Sequence, residues 1–366
     1  MRSSHRKILF LSGHAHRALD PAAAVASGGA ELQVALLATA LVRRGIETVI
    51  AAASDGFADG VVWRGVCVRD AGHFDTGTPW ETLAALRRVW RVLREEHPQW
   101  VIVYGWTTWL TILCLWRPFL KTRIGFVCAL DSEIDGGFQR NHPLRGRIFT
   151  WGLRWADARL SITGHQARLF RSQGMSCSVT RLLLQPTSES TPTAKSVDLL
   201  WVARCHPVKR PHAFLDLLER LPGIRARMIC SPQDHELMRT VRARAATLTG
   251  LEFLEGVPYR EIQSHFSAAR IFVNTSLDEG VPNTFLHAAL GRTAIASLLV
   301  DPDGMIINFH AGICAEGDFE TLVCELTALL DSPDSILSAA AGAARILEEW
   351  HDNDRNVTAF LEGLGP

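Results

Sequence analysis

The sequence predicts an α/β fold built from two doubly wound parallel sheets, and three observations lead to this prediction. Short apolar runs alternate with longer amphipathic runs along the chain of 366 residues. Apolar residues make up 47% of the composition, which is enough for two or three packed domains. The alternation is interrupted once, at residues 185–196, by a stretch of Ser, Thr, Pro, Glu and Lys that is typical of a linker.

The first half of the chain contains the strand and helix signals of one such sheet. Its short apolar runs predict strands, and its amphipathic runs, which stop at Gly45 or before Pro98, predict helices. The predicted strands are 7–11, 48–52, 100–104, 124–128 and 160–163, and the predicted helices are 31–44, 80–96 and one around 148–155.

Residues 98–116 carry no charge, so their length approaches the ~20 apolar residues of a membrane span. Turn-like and polar residues at 104–108 interrupt the run, which favours a buried strand, a loop and a helix ending near Pro118. An interfacial anchor is the alternative, and it would give the protein a peripheral membrane contact. Its residues would be Trp106, Trp109, Trp116 and Phe119.

The second half repeats the pattern after the linker. It predicts strands at 198–203, 226–230, 251–254, 271–274 and 293–297, with a helix at 211–221 and further helices between the later strands. The helical stretch 335–361 is long for a single terminal helix. We therefore expect an N-terminal domain over residues 1–190, a second domain over 197–340 and a separate C-terminal helix over 341–366.

Composition argues against several classes of protein. Lys and Arg number 38, equal to Asp and Glu, which leaves no overall positive charge for binding nucleic acid. The eight cysteines are scattered without metal-ligand spacing, which favours the reducing cytoplasm and predicts no metal site. Neither a dinucleotide-binding G-x-G-x-x-G nor a P-loop occurs.

The most informative run is 275–291, which follows a predicted strand and opens an apolar helix that Gly291 closes. Pro282 suits the first helical turn, so the N–H groups of residues 283–285 are predicted to lack intrahelical partners. A helix start with free donors and a positive dipole end attracts anions, most commonly phosphate. Glu279 lies just before it and is suited to accept from sugar hydroxyls, so the run predicts a ligand that is part sugar and part diphosphate.

This run resembles the donor-site signature of family-4 glycosyltransferases of the GT-B fold, whose usual form begins Ser-x-x-Glu-Gly-Phe-Pro-Asn-x-x-x-Glu. The resemblance implies two Rossmann-like domains facing a cleft and a C-terminal helix that crosses back to the first domain. It also implies retaining, metal-independent transfer of a sugar from a nucleotide sugar. Glu279 would then act in catalysis, and the donor would contact Gly280, Asn283, Thr284 and His287.

His287 departs from the signature, because the family has a second glutamate there that commonly accepts from the nucleotide ribose. A neutral imidazole has one acceptor and one donor nitrogen, so it holds one hydroxyl where a carboxylate holds two. Four interpretations stay open: His287 serves the ribose, the nucleotide is held differently, the site is degraded, or His287 is a core residue of the helix.

Two other motifs fit the family. Gly28 and Gly29 stand between the first predicted strand and its helix, where the family's Gly-Gly-x-Glu faces the diphosphate and the acceptor. Arg204 and Lys209 follow the first strand of the second half and resemble the family's Gly-Arg-Leu-x-x-x-Lys-Gly, with Arg210 in place of the last glycine. Two cations aimed at a leaving nucleoside diphosphate supply the stabilisation that a metal would otherwise give.

The first half contains a second departure. Where the family often has a His before an Asp after a mid-domain strand, this chain has Leu130 and Asp131. Asp131, with Glu133 and Asp135, is then the candidate for accepting a proton from the acceptor, or else this acidic loop is simply solvated. His14 and His16 either line the ligand site or belong to a plain surface loop.

The expected donor is thus a UDP-, GDP- or other nucleotide sugar, and the expected acceptor a saccharide, a lipid-linked saccharide or a small molecule. No cofactor and no nucleic-acid partner are expected. Residues 229–232 replace the family's Gly-x-Gly near the base, so the base stays open. A GT-B-like accessory protein that has lost turnover is the alternative, motivated by His287 and Leu130, and a nucleotide-sugar epimerase has less support.

Overall fold

The structure, a computed structural model, describes residues 7–20, 28–74, 78–184 and 194–365. It divides into two compact units: unit 1 comprises Met1–Leu184 and Asn353–Pro366, and unit 2 comprises Gln185–Asp352. Most of the predicted linker lies outside the described residues. The predicted boundary at residue 341 falls within a helix of unit 2, and the chain enters unit 1 again only at Asn353.

Unit 1 contains an eight-stranded sheet. Its strands are β1 (Lys7–Leu11), β2 (Glu47–Ala52), β3 (Val61–Trp63), β4 (Val66–Asp70), β5 (Trp100–Tyr104), β6 (Arg123–Cys128), β7 (Ala158–Ser161) and β8 (Ser178–Val179). They are ordered β3-β4-β2-β1-β5-β6-β7-β8, and every pair is parallel except β3 with β4. Because both faces of the parallel strands are covered, β1, β5 and β6 are almost wholly buried.

The helices of unit 1 connect these strands. They are α1 (Gly29–Arg43), α2 (Pro79–Glu96), α3 (Trp109–Leu120), α4 (Gly137–Asn141), α5 (Pro143–Trp155), α6 (Gly164–Ser172) and, from the C-terminal segment, α14 (Asn353–Leu364). Within this unit α14 lies against β7, β8 and α1, and its Asn353 and Asn356 amides bond to the backbone of residues 182–184. The C-terminal segment thus completes unit 1.

Unit 2 contains six parallel strands in the order β11-β10-β9-β12-β13-β14. They are β9 (Val197–Arg204), β10 (Ala226–Ser231), β11 (Leu251–Leu254), β12 (Ala269–Asn274), β13 (Ala294–Ser297) and β14 (Gly312–Cys314). Its helices are α7 (Pro211–Arg220), α8 (His235–Ala245), α9 (Ile262–Ala268), α10 (Asn283–Leu290), α11 (Met305–Asn308), α12 (Phe319–Leu330) and α13 (Pro333–Trp350).

The predicted parallel strands all occur, with ends shifted by two residues at most. The hairpin of β3 and β4 was not predicted. Its two-residue turn is Arg64-Gly65, and both residues have positive φ, as the type I′ turn of a tight hairpin requires. Arg-Gly lacks the Asn or Asp that usually marks this turn, and the flanking strands are short and half-exposed.

The uncharged segment 98–116 forms β5, a loop and most of α3. Trp109 is buried and Trp116 packs partly against the core, whereas Trp106 and Phe119 are exposed. The four aromatic residues therefore do not share one exposed anchor. No helix in the described ranges combines the length and the apolar character needed to cross a membrane.

Each sheet has a point where the strand order reverses direction. In unit 1 this point lies between β1 and β5, and in unit 2 it lies between β9 and β12. Ligands of open α/β sheets bind beside the carboxyl ends of the strands at such switch points. The loops that follow these four strands are therefore where the fold favours a site.

Candidate functional site

In unit 2 the loops that follow β9 and β12 are joined by hydrogen bonds. The Thr275 hydroxyl accepts from the indole N–H of buried Trp201 at 2.9 Å and donates to the carbonyl oxygen of Lys209 at 2.7 Å. The backbone N–H of Leu277 donates to the carbonyl oxygen of Val208 at 2.9 Å. These bonds fix the two loops against each other at the switch point.

This junction brings Lys209 and Glu279 together. The Lys209 Nζ lies 2.7 Å from the Glu279 Oε1, and both side chains are mostly shielded from solvent. The same oxygen accepts from the Ser276 hydroxyl at 2.7 Å and from the Asn274 amide at 3.3 Å. The other carboxylate oxygen, Oε2, has no hydrogen bond to a described residue and remains available to a ligand.

Arg204 ends β9 and is exposed at the same edge of the sheet. Its guanidinium forms no ion pair with any residue in the described ranges. Arg210, which replaces the family's glycine, has φ 49° and ψ 55°, in the left-handed region that favours glycine. Arg210 thus holds a backbone conformation that suits the glycine it replaces, and it adds a side chain there.

The helix start after Glu279 differs in detail from the prediction. Pro282 is the N-cap of α10, buried Gly280 precedes it, and the N-terminus has no side-chain cap. The expectation of a free N–H is wrong for Phe285, which donates to the carbonyl oxygen of Pro282 at 3.0 Å. Asn283 and Thr284, half-buried, form the first turn, and the positive end of the helix dipole lies beside them.

His287 is surrounded by partners within unit 2. Its Nδ1 lies 2.8 Å from the Gln263 Oε1, and its Nε2 lies 3.0 Å from the Tyr259 hydroxyl. The Gln263 amide also donates to the His287 carbonyl oxygen at 3.2 Å, which orients its Oε1 as the acceptor of an Nδ1–H. Burial lowers the pKa of His287 to about 4. The ring is thus neutral with both nitrogens occupied, which favours the core histidine among the four interpretations.

In unit 1 a pocket of about 340 Å³ opens at the carboxyl ends of β1 and β5. Its lining combines aromatic faces with imidazoles, hydroxyls and one carboxylate, a mixture suited to stacking on a sugar ring and bonding its hydroxyls. The lining residues are Leu11, Ser12, Gly13, His14, Ala30, Glu31, Val34, Ala53, His73, Phe74, Val103, Tyr104, Trp106, Thr107 and Trp109. Of these residues, the sequence predicted ligand contact only for His14 and for Glu31, the glutamate of the Gly-Gly-x-Glu motif, because the others come from segments that are far apart in the chain.

Gly28 and Gly29 stand at the start of α1, directly before the lining residues Ala30 and Glu31. Gly28 is the N-cap, and a Cβ atom built on it would lie 2.2 Å from the Glu31 Oε2. The Glu31 carboxylate therefore folds back over the start of its own helix, as an N3 glutamate does in a capping box. Glycine at position 28 leaves the room for that arrangement. Ser27 lies outside the described residues.

His16, unlike His14, is not available to the pocket. It is buried, its Nε2 lies 3.3 Å from the Asp55 Oδ2, and its ring packs against Phe57 at a centroid distance of 4.8 Å. The Asp55 carboxylate also accepts from Arg17 at 2.6 Å. His16 therefore belongs to the packing of its loop.

The acidic loop 131–135 divides into an exposed and a buried part. Asp131 is half-exposed, and its Oδ2 lies 3.6 Å from the His165 Nε2. Glu133 is only 5% exposed, and its carboxylate accepts from the backbone N–H of Trp106 at 2.9 Å and of Ala129 at 2.8 Å. Burial raises the pKa of Glu133 to about 7. Glu133 thus holds the loop that carries Trp106 in the pocket. The sequence did not indicate this role, because an acidic run is usually exposed to solvent.

Two family models match the chain. The model described as Glycosyltransferase Family 4 matches residues 27–182, and the model described as Glycosyl transferases group 1 matches residues 196–332. Between them they cover unit 1 from α1 to β8 and most of unit 2. The chain is a family-4-like glycosyltransferase of the GT-B fold. A comparison with curated proteins gave no match.

Solved structures agree with this fold. Sucrose-phosphate synthase from Thermosynechococcus elongatus superposes with a TM-score of 0.82 at 14% identity, covering 98% of each chain. HepE from Anabaena, in complex with UDP, gives 0.75 at 16% identity over 98% of this chain and 99% of the other. An E. coli structure titled as trehalose-6-phosphate bound with UDP-2-fluoro glucose gives 0.69 at 14%, covering 98% of each chain.

The Thr275 hydroxyl provides a first test, because it is buried and bonds to the Trp201 indole and to the carbonyl oxygens of Lys209 and Arg210. Thr275→Val keeps the volume but leaves the Trp201 indole and the Lys209 carbonyl without that bond. We expect the free energy of unfolding to fall by about 1–3 kcal/mol, measured by denaturant titration. Thr327→Val, an exposed threonine that bonds only within α12, is the control. Equal small losses in both variants would contradict the assignment.

Glu133 predicts a pH dependence of stability. Its pKa is about 7 in the folded protein against an ordinary value of 4.5, so the folded chain binds the proton more tightly and stability falls as the pH rises from 4.5 to 7. Glu133→Gln removes this titration but also loses one acceptor for a backbone N–H. The difference in free energy of unfolding between the Glu133→Gln variant and the wild type should therefore change with pH. From pH 4.5 to pH 7 it should move in favour of the variant by on the order of 3 kcal/mol. Glu362→Gln, at an exposed glutamate of α14, is the control, and an equal change in both variants would contradict the role of Glu133.

Proposed function

We propose that this glycosyltransferase moves a sugar from a nucleoside diphosphate sugar to an acceptor with retention of configuration and without a divalent metal. The observation that carries the proposal is the pairing of Lys209 with Glu279 at the switch point of unit 2, beside the start of α10. A cation for the diphosphate and a carboxylate for the sugar stand within 2.7 Å of each other.

The chemistry needed at the donor is stabilisation of the leaving group. As the glycosidic bond breaks, the nucleoside diphosphate gains negative charge. The ammonium of Lys209, the exposed guanidinium of Arg204 and the positive end of α10 supply opposite charge. The first-turn residues Asn283 and Thr284, with Gly280 before them, would contact the phosphates.

Glu279 is suited to the sugar rather than to the phosphates. Its Oε1 is held by Lys209, Ser276 and Asn274, which fixes the carboxylate in place. Its Oε2 is then directed to sugar hydroxyls, whose bonds strengthen as positive charge develops on the ring.

Two of the similar structures contain UDP or a UDP-sugar analogue, which supports a uridine nucleotide as the first donor to test. The acceptor would bind in the pocket of unit 1, where Glu31, His14 and the exposed face of Trp106 suit a saccharide or a saccharide carried on another group. Gly28 and Gly29 would line its rim. Asp131 stays the candidate for accepting the acceptor's proton.

A catalytically inactive accessory protein is the second candidate. Two observations favour it: Leu130 replaces the family's histidine, and both nitrogens of His287 are occupied by protein partners. Such a protein would bind the nucleotide but would neither transfer nor hydrolyse the donor.

The diphosphate clamp can be tested by calorimetry with UDP. Arg204→Ala and Lys209→Ala should each weaken binding by about 1.5–3 kcal/mol, since each removes a charge-assisted contact. Melting temperatures should stay near wild type. Arg239→Ala, which removes an exposed arginine of α8, is the control and should bind as wild type. Unchanged UDP affinity in both clamp variants would remove Arg204 and Lys209 from the site.

Glu279→Gln separates enzyme from accessory protein. The amide keeps an oxygen for Ser276 and Lys209, so folding should survive. The substitution removes the negative charge that would stabilise the positive charge developing on the sugar ring. With UDP-glucose as donor and EDTA present, hydrolysis by the wild type should be measurable, and the variant should lose at least about tenfold in turnover. Its affinity for UDP should not fall, because UDP lacks the donor sugar that Glu279 is proposed to contact. If the wild type binds UDP but does not hydrolyse UDP-glucose, the accessory protein is favoured. If the wild type is active only when magnesium is added, metal independence is refuted.

A further inference from the structure

Helix α5 has a second apolar face that its own unit does not cover. Leu144, Ile148, Trp151 and Trp155 are 74%, 39%, 43% and 42% exposed. They recur at intervals of four, three and four residues, so they form one stripe about 60° wide along the helix. The rings of Trp151 and Trp155 are in contact, tilted by 41° with centroids 3.9 Å apart, which makes a continuous aromatic surface at the C-terminal end of the helix.

The opposite face of α5 packs into the core of unit 1. Phe149 and Leu153 are buried, and Gly152 lies so close to α3 that a Cβ atom there would be 2.7 Å from the Thr111 backbone nitrogen. The apolar stripe is therefore not needed to attach α5 to unit 1. A monomeric protein rarely leaves a row of large apolar side chains in water without a use for it.

Positive charge surrounds the stripe. Arg145, Arg147 and Arg154 flank it on α5, are exposed and form no ion pair with any residue that the structure describes. From residue 136 to 184 the sequence has eight arginines and one acidic residue, Asp157, whose carboxylate is bound by Arg117 at 2.6 Å. The protein as a whole has no net charge, so this segment is a local concentration.

We propose that this face of α5 is a membrane-docking surface that lies in the headgroup region of an anionic phospholipid bilayer. Tryptophan and aliphatic side chains of such a helix insert about 5–10 Å into the boundary with the acyl chains, and the flanking arginines bind the lipid phosphates. The surface differs from the four-residue anchor considered from the sequence. The inference does not depend on the proposed transferase chemistry.

The arginines also decide between a bilayer and a second copy of the chain. In a symmetric dimer the same patch meets itself, so the unpaired arginines of one copy would face those of the other. Such like charges repel in a contact that excludes water. An anionic bilayer instead supplies the opposite charge along the whole length of the stripe.

The test is cosedimentation of the full chain with vesicles. The protein should partition onto vesicles of phosphatidylcholine and phosphatidylglycerol in about equal parts, and only weakly onto pure phosphatidylcholine. Added salt should weaken the binding. The triple variant Arg145→Gln, Arg147→Gln, Arg154→Gln should lose roughly a hundredfold in partition coefficient. Trp151→Ala with Trp155→Ala should lose at least about tenfold.

Matched controls come from α2, which exposes a tryptophan and several arginines of the same unit. Trp80→Ala and the triple variant Arg87→Gln, Arg91→Gln, Arg94→Gln should bind vesicles as wild type does, and UDP binding should be the same in every variant. Equal losses from the α2 and α5 variants would overturn the assignment to α5. No binding to anionic vesicles, or a wild-type dimer that the double tryptophan variant makes monomeric in sedimentation velocity, would overturn the membrane proposal.

Discussion

The candidate donor site depends on one buried hydroxyl. Parallel strands end at a common edge, but the loops that follow them are separate pieces of chain, and each needs a fixed position before side chains can act together. The Thr275 hydroxyl joins the loop after β9 to the loop after β12, with the Trp201 indole as its donor. The proximity of Lys209 and Glu279 follows from that junction.

In unit 1 a carboxylate fixes the loops that follow two neighbouring strands. Glu133 accepts from a backbone N–H of the loop after β5 and from one after β6, so it connects two neighbouring loops at the carboxyl edge of its sheet. Keeping an acid in that position costs free energy, because burial disfavours its charged form and no cation among the described residues compensates it. A neutral hydroxyl in unit 2 makes an equivalent connection without a charge to bury.

Local patterns predicted most of the strands and the Glu279 run, because these depend on contiguous residues. Buried parallel strands appear as uninterrupted apolar runs, and the helix start follows from its turn residues. The pocket of unit 1 could not be predicted in this way, since Ser12, His73 and Thr107 meet only after the sheet has formed. His287 illustrates a second limit. The sequence shows an imidazole on an apolar helix but not that Gln263 and Tyr259 already occupy it.

The pair of Lys209 and Glu279 has a consequence for what the site rejects. In the free protein the ammonium already has a carboxylate partner, so an anion must compete with that carboxylate for it. Inorganic phosphate brings only charge, and it would place its own negative oxygens near Glu279. A sugar attached to the phosphates brings hydroxyl donors that satisfy the carboxylate at the same moment. On the proposed function, the pair would therefore favour anions that carry a sugar over inorganic phosphate, which is abundant in cells.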